Sequence, residues 1–540
     1  MVAGLGVAMA ATSLCAQVRI NEIMYHAAPV MPEDPRKEWI ELFNAGTNAV
    51  SLAGWQLTKG VKFTFTNATL PAKGYLVVAA DAAMFSTNYP GVSNIVGNWI
   101  GQLSNSGEKI ELTDNLGQKV DSVTYYSEGD WALRRMGDVY PGQPTWWRGW
   151  QWTTPADGGG KSLERINAAV SGDYGQNWAA STTANGTPGA ANSGAATNIA
   201  PVILDVQHFP LIPQSTNTVT VTARLVDELG SNVTAAVCFR VDGAASFTTN
   251  SMFDDGLHGD GAAGDGVFGG VLPGRANQTI VEFYVRATDS GGRTRTWPAP
   301  TDDTGTQGAN ALYQVDESVY SGSQSVNRFI IPAAEWAAWL NLMDNVGNGL
   351  YSNCEMNGAL IRIDGLGTEV RYSVGLRNRG QGSRTAVPHN LNVSIPHDHL
   401  LRGISGLDFN SRYVHSQAAG NAIFTAAGLP TAYGAPVQVR VNGANLANAT
   451  PNGDVNSYQF GSYYSFEPFD GDWAANHYPL DASGNLYKGK SYFDSIQLNP
   501  HADLVYRGTN ANSYRMYYDA NGPAASSGAY QKQSNMAADD

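Results

Sequence analysis

Six short alternating runs open the chain: VRINEIMY, EWIELFN, VKFTFTN, GYLVVAA, EKIELTD and KVDSVTY, each bounded by Gly, Asn or Pro turns. A period of two describes a strand with one face in a core and one in water, and it excludes a helical reading of this region. Residues 18–193 are therefore expected to form a β-sandwich. Trp39, Ile40, Leu42 and Trp55 offer large apolar area for its core, and Gly54 and Gly107 offer turns. Glu22, Glu38 and Glu41 alternate with Ile and Trp, which predicts solvent-facing carboxylates rather than an acid/base pair.

Small polar residues at 194–200 read as a linker. Residues 201–316 repeat the strand pattern in NTVTVTARLVD, AAVCFRVDG and IVEFYVRATDS, over a length that suits an immunoglobulin-like or fibronectin-like domain. Its most distinctive stretch is a glycine-rich loop carrying Asp254, Asp255, Asp260 and Asp265. Calcium takes six to eight oxygens from flexible loops, so Ca²⁺ is the expected ligand, without the spacing or bidentate Glu of an EF-hand.

The pattern changes near 327. AAEWAAWLNLMDNV and SQAAGNAIFTAAGLP have helical spacing, the second closed by Gly428 and Pro430, and strand-like segments lie between and after them. Residues 327–540 are expected to be an α+β domain. The fold class expected for the whole is a mainly β multidomain chain, two β-sandwiches followed by this partial α+β domain.

Two ordered sets of motifs resemble known families. Ile20-Asn21-Glu22-Ile23, Glu38 to Asn44, Leu52 to Leu57, Leu70 to Tyr75, Leu103 to Glu108, Gly117 and Asp121 to Tyr125 together resemble the lamin-tail domain, an immunoglobulin-like sandwich. That resemblance implies interaction or anchoring, not catalysis. Further on, Val374 to Arg384, Leu407 to Ser411, Ala427-Gly428-Leu429-Pro430, Val437 to Gly443, Gly461 to Glu467 and Asn485 to Gly489 resemble the spore-coat-protein-H kinase-like family. This implies an atypical protein kinase using ATP and Mg²⁺. Arg379, Ser383 and Arg384 then match a turn facing phosphates, Glu467 ends the matched strand, and Lys488 matches the turn lysine. Where the family carries lysines, this chain has Pro388-His389-Asn390-Leu391. The Asp and Asn that hold the metal are expected downstream of 540, so these residues alone are not expected to transfer phosphate.

Other motifs carry less. Gly158-Gly159-Gly160-Lys161-Ser162 lacks the first glycine and the strand-loop-helix setting of a P-loop. Four tryptophans at 146, 147, 150 and 152 read either as a loop capping the sandwich, the favoured reading, or as a stacking platform for sugar rings. His389, His397, His399 and His415 lie close in sequence, but no third ligand at a convincing spacing accompanies Pro396-His397-Asp398-His399, which favours a surface loop.

Composition narrows the function classes. There are 33 basic and 47 acidic residues, a net charge of −14, so nothing recommends nucleic acid as a partner. Met1 to Ala16 is small and apolar, too short to span a membrane, and resembles a secretory leader cleaved after Ala16. No other apolar run is long enough to cross a bilayer. Cys238 and Cys354 fall in different expected domains, which predicts isolated buried thiols. The expectation is a secreted or cell-surface protein whose partner is an extracytoplasmic protein or a surface polymer. It acts through a kinase-like module in its complete form or through non-catalytic adhesion, scaffolding or carbohydrate binding.

Overall fold

The computed structural model describes residues 17–27, 34–137, 149–230, 232–344, 353–380, 387–446 and 462–480, with shorter stretches between 482 and 533. Its first unit is a sandwich. One sheet runs, in spatial order, Trp178–Ala180, Leu163–Arg165, Val18–Met24, Trp39–Asn44, Tyr75–Ala79 and Ile95–Gly97. The other runs Lys119–Tyr126, Gly107–Thr113, Gln56–Lys59 and Phe63–Thr64. Between them Ile20, Ile40, Leu42, Trp55, Leu57, Ile110 and Val123 form one core, the product of the alternation in each strand.

The alternation does not leave the opposite face wet. Glu22 and Glu41 are 0% exposed and Glu38 is buried too, contrary to the solvent-facing expectation. For Glu22 and Glu41 the reason is the segment 181–195, which lies over the outer face of the first sheet, whereas Glu38 accepts from Leu103 N at 2.7 Å. Thr187 N donates to Glu22 Oε1 at 2.8 Å, Gly189 N to Glu41 Oε2 at 2.6 Å, and Ser193 Oγ to Glu164 Oε2 at 2.7 Å. Small residues let this stretch lie close enough for its amides to reach the carboxylates. The connection beyond it is also tied down: Ala196 N donates to Ile166 O at 2.9 Å and Ile199 N to Glu228 Oε1 at 2.6 Å.

The second unit is a smaller sandwich. Val202–Phe209, Val219–Val226 and Val267–Leu272 form one sheet. Thr248–Met252, Thr234–Val241, Ile280–Thr288 and Thr294–Trp297 form the other, with Ala311–Gln314 also paired to Ile280–Thr288. Cys238 and Cys354 are both buried, and neither is in a disulfide.

In the third unit the strands Val326–Ile330, Met356–Asp364, Gly367–Asn378, Leu391–Ser394, Gly406–Asn410, Tyr463–Phe466 and Gly434–Val441 pair in that order. Val326–Ile330 then pairs in parallel with Gly434–Val441, with Asn327 opposite Val439, closing the sheet on itself. Phe329, Leu360, Val374, Leu376, Val393, Phe409 and Val439 belong to its core. Helices Ala333–Asp344 and Val414–Ala426 accompany the sheet. Neighbouring residues on the same strands, Ile330, Ile361, Val370 and Tyr372, join the core of the second unit instead. Alternate side chains point to opposite faces, so these strands are buried on both sides and tie the two units together.

Candidate functional site

The three units meet around a cleft of about 970 Å³. The first unit supplies the turn Gly129–Trp131 and the paired strands Leu133–Met136 and Trp150–Thr153; the second supplies Thr294–Trp297; the third supplies His399 from the turn His397–His399. Trp131, Trp152, Trp178 and Trp297 line it, with Arg135 and Asp303 pairing at 2.6 Å. Trp131 and Trp178 stand 6.0 Å apart, tilted by 33°, while the Arg134 guanidinium lies 5.2 Å from the Trp152 ring. Arg134 is itself buried, donating to Ser373 O and, at 3.2 Å, to Val374 O, which fixes the hairpin against the third unit.

Asp130 is the pivot of this junction. Its Oδ1 accepts from Trp297 Nε1 at 3.1 Å, its Oδ2 from Gln176 Nε2 at 2.8 Å, and its backbone N donates to Asp398 Oδ2 at 2.7 Å. Burial pushes both carboxyls above their ordinary range, His399 lowers both, and the charge of Asp130 raises Asp398 further. Gly129 makes the close approach feasible: its φ is +63°, and a Cβ there would fall inside the Asp398 carboxylate. The His397-Asp398-His399 turn therefore has a companion in Asp130, contrary to the expectation of a surface loop without a third ligand. That companion lies 268 residues earlier, beyond any local spacing rule.

The tryptophan-rich run is divided. Trp146 and Trp147 lie outside the described residues. Trp150 does not cap the first sandwich. It joins the core of the third unit and donates from Nε1 to Glu335 Oε1 at 2.9 Å, while Trp152 turns into the cleft.

Residues expected to meet a nucleotide have other partners. Arg379 pairs through Nε with Asp408 Oδ1 at 3.0 Å, bonds Asn410, and lies over the Phe466 ring. Glu467 is buried, accepting from Tyr433 N at 2.7 Å and pairing with His477. Lys488 is exposed on a separate short ribbon, opposite Gln531. Ser383 and Arg384 lie outside the described residues. Lys161 donates to Thr182 O at 3.2 Å and Ser162 to Glu22, so the glycine-rich segment before them is part of the sandwich.

In the acidic loop the carboxylates hold the loop's own amides. Asp260 accepts from Asp255 N, Gly256 N and His258 N at 2.7, 2.8 and 2.9 Å. Asp254 accepts from Gly264 N and Gly266 N at 2.7 and 3.0 Å, Asp265 from Val267 N at 2.9 Å, and Asp255 pairs with His258 Nδ1 at 2.9 Å. Among the described residues, the group whose ligand atoms converge within 4.8 Å is Asp130, Asp398 and His399, not this loop.

Residues 11–127 match the Lamin Tail Domain family, and residues 215–296 match the conditioned medium factor second Ig-like domain family. The chain carries a lamin-tail domain and an immunoglobulin-like domain. The lamin-tail sandwich continues past the matched residues, since Leu163–Arg165 and Trp178–Ala180 complete its first sheet. No curated protein matches the chain. Matching solved structures include an uncharacterized protein from Listeria monocytogenes EGD-e in complex with glucose, magnesium and calcium, and the cycloalternan-forming enzyme of Listeria monocytogenes in complex with a pentasaccharide substrate. Each is 8% identical over 39% of this chain, with a TM-score of 0.15, and the chain spans 22% of their length. At that score the likeness bears on neither fold nor function. No helix among the described residues is long and apolar enough to cross a membrane.

Proposed function

We propose that this chain is an extracytoplasmic binding protein whose three-domain cleft takes the sugar rings of a surface polymer. Lamin-tail and immunoglobulin-like domains are interaction modules, and the observation that carries the finer reading is the aromatic lining of the cleft. Trp152 and Trp297, both half-buried, present ring surface beside Arg135, Asp303 and His399. Sugar rings offer apolar C–H faces and outward hydroxyls, so stacking surfaces flanked by charged hydrogen-bonding groups suit them. The test is calorimetric titration with neutral oligosaccharides of four to six units. Trp152→Ala and Trp297→Ala are each expected to weaken binding about tenfold, equivalent to about 1.4 kcal/mol. Absence of saccharide binding, or binding untouched by both substitutions, rejects the reading.

A second reading is the kinase-like one for residues 327–540. Its support is the ordered motif series from Val374 to Gly489. The ion pairs of Arg379 and Glu467 would have to open for either side chain to meet ATP and Mg²⁺. With the downstream Asp and Asn that the resemblance implies present, Mg²⁺-dependent transfer of the γ-phosphate to protein, lost in Arg379→Ala, is the result that supports it. No transfer removes it.

A further inference from the structure

We propose that Asp130, Asp398 and His399 form a binding site for a first-row divalent cation of the zinc type, joining the lamin-tail domain to the third unit. Their ligand atoms lie within 4.8 Å of one another. The second, independent observation is Asp398 itself. Its side chain is 9% exposed, and its Oδ1 has no hydrogen-bond partner. A carboxylate oxygen buried without a partner is costly unless a proton or a cation meets it.

The surroundings are those of a metal site. Asp130 is oriented by outer hydrogen bonds from Trp297 and Gln176, and Asp398 by the Asp130 amide, as ligating carboxylates commonly are. His399 Nε2 stands 3.9 Å from Asp398 Oδ2. That is too long for a hydrogen bond, and about half an ångström beyond the ~3.4 Å that separates two ligands of a tetrahedral ion. Glu128, close by, is paired with His397 at 3.0 Å and leaves His399 as the available imidazole. Two carboxylates with one imidazole favour zinc or manganese over calcium or magnesium, which take oxygen ligands. Three protein ligands leave further positions for water or for a ligand in the cleft, which Asp130 and His399 both line.

The experiment titrates Zn²⁺ into metal-stripped full chain, without saccharide, by calorimetry and by thermal melting. One equivalent is expected to bind and to raise Tm. Asp398→Asn and His399→Ala are each expected to weaken binding at least tenfold. His399 is exposed, so its removal leaves the fold intact, checked by circular dichroism. Asp260→Asn, in the acidic loop, keeps the stoichiometry at one. Co²⁺ in place of Zn²⁺ should give visible absorption bands that vanish in His399→Ala. No saturable binding, or binding unchanged in both site variants, overturns the proposal.

Discussion

Glu22 and Glu164 face one another across the antiparallel strands Val18–Met24 and Leu163–Arg165, with Thr187 Oγ1 3.2 Å from Glu22 Oε2 and 2.9 Å from Glu164 Oε1. One hydroxyl proton serves one of these oxygens at a time. Glu41, the cross-strand partner of Glu22 on its other side, completes a row of three buried carboxylates under one lid.

This row sets a pH dependence. Burial lifts Glu22 to about 7 and Glu41 to about 8, from an ordinary value of 4.5. The folded chain thus holds these protons more tightly than the unfolded one. The stability they contribute is full below about pH 4.5 and is lost as pH rises through 7 to 8. Glu41→Gln should remove much of that slope. Between pH 5 and 8 the wild type is expected to lose on the order of 2 kcal/mol more than the variant, read from urea denaturation. Parallel slopes would sink this account.

Arg165 is buried, with its Nη1 3.1 Å from Asp121 Oδ2 and its Nη2 on Val170 O. Asp121 also accepts from Ile20 N at 2.9 Å. Arg165→Ala leaves that half-buried carboxylate without its cation and removes the buried guanidinium's bonds, and is expected to cost about 2–4 kcal/mol. The paired change with Asp121→Asn should cost less than the two single changes added. Denaturation midpoints of the four proteins decide it.

Tyr372 couples the immunoglobulin-like domain to the third unit. His208 Nε2 bonds Leu211 O at 3.1 Å, so Nδ1 accepts from the Tyr372 hydroxyl, which in turn accepts from His208 N at 3.1 Å. Burial lowers the imidazole to about 4 and keeps it neutral. Tyr372→Phe strands both His208 groups and is expected to cost about 2–3 kcal/mol. A change under 0.5 kcal/mol by thermal melting would show that the two domains do not depend on this contact.

The acidic loop is expected to hold its shape through amide bonds. Asp260→Ala removes three of them and should cost about 2–3 kcal/mol. Ca²⁺ added to the metal-stripped chain should leave its Tm unchanged. A rise in Tm with Ca²⁺ that Asp260→Ala abolishes would show instead that the metal adds to those bonds.

Much of this architecture was legible in the sequence. The period-two runs, with Ile40 and Leu42 between turns, carry the strand pairing and the first core, whereas Trp39 packs in a separate cluster with Met24, Val77 and Phe85. The helical spacing near Trp339 and the Gly428-Leu429-Pro430 stop mark the helices Ala333–Asp344 and Val414–Ala426. The ordered motifs around Glu38 to Asn44 and Leu52 to Leu57 point to the lamin-tail domain. Each of these signals lives within a few residues, where backbone propensity and periodicity act.

The site belongs to the tertiary structure. Asp130 and Asp398 are 268 residues apart, and no local rule makes one the companion of the other. Whether Glu22 meets water depends on where the segment 181–195 lies, and whether Asp260 is free for a cation depends on how its loop turns. Strand alternation determines which face a side chain takes. What covers that face is decided by chain packing at long range, and that cover turned a surface row of glutamates into a buried one and a histidine loop into the wall of a cleft.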